Sequence, residues 1–251
     1  MESDFSALAN DFYVNQKVGL TLDLPGSRES VLDMFDRLRK EFPRLDRVRR
    51  QENEVSLETE PSRSPGIDRG AGWVALKPTS VRSGYVNPGR LEDAYALHRR
   101  ILEIAPFFLS ISPLDIDMLE VVFGFDFETE HDRDGVVFDA LLANTPLANL
   151  VDGGFERVID AQPSLAVSLG ERGDLQASFE VRTRPRVPVA GERGGEPISV
   201  FLTVRKFGPL GSLDDLKGAF GAVVGHAEHL AETRVIPHLV VPIHETLQSR
   251  A

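Results

Sequence analysis

Residues 115–127, DIDMLEVVFGFDF, set Leu119, Val121, Phe123, Phe125 and Phe127 on alternate positions. Successive side chains of a strand point to opposite faces, so this run buries one face and leaves the other in water. Ile116 and Met118 fall on the opposite parity, which predicts a bulge near Met118. A strand this long and this one-sided constrains the rest of the chain. Such strands belong to antiparallel sheets whose covered face needs a second layer.

The remaining segments supply that layer. QKVGLTLDL alternates Val18, Leu20, Leu22 and Leu24, a half-buried strand. SVLDMFDRLRKEFP carries Val31, Leu32, Phe35, Leu38 and Phe42 at helical spacing and stops at Pro43. LDRVRRQENEVSLETE reads as two strands and WVALKPTSVRSGYV as a third, interrupted at Pro78. NPGRLEDAYALHRRILEIAP reads as a helix with Pro88 in its first turn and Pro106 disrupting its continuation. After the long strand come a short helix (DGVVFDALLANTP), a hairpin (SLAVSLGERGDLQASFEVRTR, with Leu165, Val167 and Leu169 inward), a strand (ISVFLTVRKF) and a last long helix (SLDDLKGAFGAVVGHAEHLAETR). PSRSPGIDRGAG and VPVAGERGGEP are loops by composition.

Each half therefore reads strand, helix, three strands, helix. Phe35-Asp-x-Leu and Phe138-Asp-x-Leu, each followed by a proline at the same spacing, support a duplication, as do SVRSGYVNPGRLED and TVRKFGPLGSLDD. The expected fold class is α+β: an internally duplicated (βαβββα)x2 chain, mainly antiparallel sheet, with helices packed on one face. The halves are 1–112 and 113–251, joined in one structural unit.

Composition narrows the function classes. A formal charge of −11 disfavours nucleic acid, which needs local positive charge. The absence of cysteine removes thiolate ligands, thiol nucleophiles and disulfides. The start, MESDFSALANDFYVNQK, lacks the basic stretch and apolar core of a secretory signal, and no run approaches membrane-span length; the expectation is a cytoplasmic protein with no membrane partner. No Gly-x-Ser-x-Gly, phosphate loop, dinucleotide fingerprint or His-Glu-x-x-His is present.

Four constellations remain. The C-terminal stretch holds His226, His229, His238 and His244, with Pro237 expected to break or kink the helix before His238. His226 and His229 are three apart and could share a metal, but zinc needs three or four ligands, and a solvated helix face is the favoured reading. Glu130, Asp132, Asp134 and Gly135 fit the first half of a calcium loop, yet Leu141 stands where the bidentate glutamate belongs; an acidic helix cap is the alternative. Asp115 and Asp117 are candidate acid–base carboxylates if something brings them together, and His98 is a catalytic candidate that lies on an apolar helix seam, where a core histidine is expected. Arg82, Arg182, Arg184 and Arg205 share the outward parity of their strands. Guanidinium forks on a sheet face suit phosphate or carboxylate, but a solvated face with ion pairs to Glu58, Glu60 and Glu180 is the favoured reading of these arginines.

The sequence thus points to a non-catalytic binding protein that uses an open sheet face or the cleft between the halves. The expected partner is another protein, a small anionic ligand or a second copy of the chain, with no cofactor. The alternative is a hydrolase-type enzyme with an acidic and histidine site between the halves.

Overall fold

A computed structural model describes residues 5–24, 27–60, 70–183, 197–208 and 210–250. Arg184 and most of the two composition-defined loops lie outside them. In chain order the described elements are β1 (Asp11–Leu20), α1 (Arg28–Glu41), β2 (Leu45–Gln51), β3 (Glu54–Thr59), β4 (Ala71–Lys77), β5 (Ser80–Val86) and α2 (Leu91–Phe108). They continue with β6 (Ile116–Phe127), α3 (Arg133–Val137), β7 (Ser164–Ser168), β8 (Leu175–Arg182), β9 (Ile198–Phe207), α4 (Asp214–Leu230) and α5 (Val241–Arg250). The fold is α+β. All nine strands among the described residues belong to one sheet, ordered β2-β3-β4-β5-β1-β6-β9-β8-β7, and every pairing is antiparallel.

The two long strands β1 and β6 sit side by side at the centre. Phe12, Val14 and Val18 of β1, with Leu119, Val121, Phe123 and Phe125 of β6, are buried on one face. Val81 of β5 and Val200, Leu202 and Val204 of β9 continue that face outward. Tyr95, Ile101 and Leu102 of α2 and Leu216, Phe220 and Val223 of α4 belong to the same core. The α2 and α4 rings meet edge to face, Tyr95 against Phe220 at 6.1 Å and His98 against Phe220 at 6.2 Å. Such ring pairs add about 0.5–1.5 kcal/mol beyond burial.

Several expectations change. The first strand lies earlier than its leucines imply, and Leu22 is 64% exposed beyond its end. Phe12, Val14, Gln16, Val18 and Leu20 form its covered row, and the polar Gln16 hides the period in the sequence. Pro78 and Thr79 do not merely interrupt a strand. They form the two-residue link between β4 and β5, where Lys77 faces Ser80 across the hairpin. The first half therefore carries four strands after its first helix, not three. α2 begins at Leu91, past Pro88, with Asp93 accepting a hydrogen bond from the Arg90 amide, and it continues through Pro106 to Phe108. Leu165 is 62% exposed because β7 is an edge strand.

The C-terminal helix does not break at Pro237. A π-helical segment, Ala231–Val240, contains that proline and links α4 directly to α5. Proline lacks an N–H and crowds the carbonyl one α-turn back. The segment's wider turns, which close with the Val241 amide bonding the Ile236 carbonyl, carry the helix through the proline. The expected bulge is present: Gly19 faces Met118 while Leu20 faces Ile116, so Asp117 is the extra residue. Among the described residues no helix is long and apolar enough to cross a membrane.

Candidate anion-binding face

The register sets three rows of side chains across the face opposite Phe12, Val14 and Val18. In the middle row Ala75, Arg82, Lys17, Glu120, Arg205 and Gln176 stand opposite one another on successive strands. One flanking row runs Trp73, Gly84, Asn15, Val122. The other includes Gly19, Met118 and Phe207. A charged row thus lies between two mixed rows, whose apolar members Trp73, Val122, Met118 and Phe207 border its centre.

Two glycines deepen the centre. A Cβ on Gly84 would stand 2.3 Å from the Trp73 indole and 2.3 Å from Asn15 Oδ1, so the indole lies flat against bare backbone. A Cβ on Gly19 would come within 2.9 Å of Met118 Cγ. The resulting hollow has a volume of about 410 Å³, and Asn15, Lys17, Trp73, Arg82, Glu120 and Arg205 are among its lining residues. Pockets for small molecules fall in this size range and combine apolar walls with a few polar groups.

The charges in the hollow are unequally satisfied. Arg205 is paired with Glu120 through Nε and Oε2, and the Glu120 side chain is only 13% exposed. Arg82 and Lys17 face each other directly, yet no ion pair to either is found among the described residues. Like charges directly opposite on a sheet repel. Arg82 Nε is buried without a hydrogen-bond acceptor, and Asn15 Oδ1 is buried without a donor. Buried polar atoms left unpaired cost about 1–3 kcal/mol each, a cost that falls on this face beside its two unpaired cations.

The other expected site residues are placed differently. Arg182 lies on this face of β8, but its guanidinium bonds Glu180 at 2.7 Å and stands 5.1 Å from the centre of the Phe201 ring; the Glu180 bond is the main cause of its raised pKa. His98 is fully buried. Its Nε2–H donates to the Val14 carbonyl at 3.2 Å and its Nδ1 accepts from the Ser83 hydroxyl at 2.8 Å. Burial holds its pKa down to about 3, so the ring is neutral and structural, with no substrate in reach. Asp115 accepts from the Ser112 amide at 2.8 Å in the turn before β6, and Asp117 is exposed at the bulge. Neither lines the hollow.

The acidic loop is an anchor. Asp132 occupies the cap position of α3 but makes no side-chain cap; its carboxylate pairs with Arg157 at 3.0 Å. Asp134 accepts from the Ala161 amide at 2.9 Å and the Thr183 hydroxyl at 2.5 Å. Glu130 is exposed and lines a second hollow of about 510 Å³ with His131 and His244, whose Nε2 bonds Gln248 at 2.8 Å. His226 and His229 stand exposed on α4. Among the described residues no three His, Asp or Glu side chains gather as a metal ion would need.

Sequence parity picked out Arg82 and Arg205 but missed Lys17, Asn15, Trp73, Glu120 and Phe207. The alternation of Asn15 and Lys17 with Val14 and Val18 was the available signal; the strand-to-strand register that joins them was not in the sequence.

No protein-family model matches the sequence, and no curated protein matches it. Among solved structures the chain is similar to the crystal structure of the di-domain ARO/CYC BexL from the BE-7585A biosynthetic pathway. That similarity has 9% identity and a TM-score of 0.22 over 95% of this chain and 99% of that one, too slight to carry an argument about fold or function.

Proposed function

We propose that this protein is a non-catalytic binding protein that takes a small anionic ligand in the hollow centred on Lys17 and Arg82. The observation that carries the reading is the facing pair of cations without a carboxylate partner among the described residues, beside the unpaired Arg82 Nε. An anion between these half-buried side chains would relieve their repulsion; guanidinium and ammonium groups together suit a carboxylate or phosphate. The hydrolase reading has no comparable support, because His98 is sealed in the core and Asp115 serves a turn.

The same reading takes the chain as a duplication with its seam between β1 and β6, and helices on one face only. In its favour, each central strand is followed by a helix, each half's last strand (β5 or β9) returns to pair with its first, and the remaining strands extend to opposite edges. The hollow then straddles the junction of residues 1–112 with 113–251.

Benzoate, phosphate and sulfate, each at constant ionic strength, test the reading through the unfolding free energy. A ligand at about a hundred times its Kd stabilises by about 2.7 kcal/mol. At least one of these anions is expected to stabilise the wild type and not Lys17→Gln/Arg82→Gln. Equal responses in the two proteins would refute the site.

A further inference from the structure

We infer that the ligand of this hollow is an aromatic acid, a flat ring that carries a carboxylate or phosphate. The inference rests on the anion-binding reading and adds the chemistry of the ligand's body. Two observations give it shape. Lys17 and Arg82 fix the anionic end. Trp73 stands opposite Gly84, two residues from Arg82 on β5, and lines the same hollow.

Val122 is a second apolar residue of the lining. The indole packs against the bare backbone of Gly84, which restrains it before any ligand binds. Glu120, which faces Lys17 across the β1–β6 pair, is engaged by Arg205. Offset or edge contact between rings adds about 0.5–1.5 kcal/mol beyond area, up to about tenfold in affinity.

Calorimetric titration with three probes separates this inference from the reading beneath it. The probes are benzoate, cyclohexanecarboxylate and inorganic phosphate. The first is expected to bind about two- to tenfold tighter than the second. Trp73→Leu is expected to erase that preference. Should Trp73→Leu fail to fold, Trp73→Phe, with its smaller ring, is expected to shrink the preference, and an unchanged ratio would count against the assignment. Equal binding of the two carboxylates by the wild type, or a preference that survives Trp73→Leu, would overturn the aromatic assignment and leave anion binding standing. If none of the probes binds, both fall.

Discussion

Two arginines of the same row have opposite consequences for stability. Arg205 neutralises a Glu120 that is largely withdrawn from water, so Arg205→Gln removes that ion pair and leaves only Lys17 opposite the carboxylate. The expected cost is about 1–2 kcal/mol in chemical denaturation. Arg82 faces Lys17 with no partner, so Arg82→Gln is expected to leave stability within about 0.5 kcal/mol or to raise it, by removing a repulsion. A large loss in Arg82→Gln would make that arginine structural. His98 gives a pH signature. Its pKa falls from 6.5 to about 3 through burial, so between those values the unfolded chain binds the extra proton. Stability is then full above pH 6.5 and declines as pH falls toward 3. At pH 5 the loss from this residue is about 2 kcal/mol. His98→Leu should remove that slope; a slope identical to the wild type would show that the ring is not the group responsible. Arg82 was legible as outward-facing because Val81 beside it is apolar. Lys17 was not, because Gln16 obscured the parity of its strand.

At the level of elements, bare backbone shapes the site. Gly84 on β5 receives the Trp73 ring, and Gly124 on β6 receives the Tyr13 ring, where a Cβ would stand 2.2 Å from ring carbons. Gly84→Ala must push the indole or Asn15 aside; the expected cost is about 1–3 kcal/mol, with a change in the intrinsic fluorescence spectrum. An unchanged spectrum would contradict the stacked arrangement. The bulge at Asp117 was readable because two parities of apolar residues collide in one strand. The uninterrupted helix through Pro237 was not, because local rules forbid proline in an α-helix and the wider π turn depends on packing of Val235 and Val240 into the core. The β4–β5 hairpin was misread for a related reason: Pro78 looked like a flaw within one strand rather than the turn between two.

Across the whole molecule the charge is −11, yet the centre of one sheet face presents two cations, Lys17 and Arg82, that form no ion pair among the described residues, Glu120 beside Lys17 being engaged by Arg205. The antiparallel α+β class followed from one-sided alternation. Strand order did not, since it depends on which covered faces meet once the helices pack. That order puts residues far apart in sequence, from Asn15 to Phe207, around one hollow. It also puts the chain's single tryptophan there, which makes the site report on itself. The most direct measurement of the central claim is a fluorescence titration with sodium benzoate at constant ionic strength, on the wild type and on Lys17→Gln/Arg82→Gln. The expected result is a saturable change in Trp73 emission in the wild type and none in the double variant; an identical, unsaturable response in both proteins would contradict an anion site at Lys17 and Arg82.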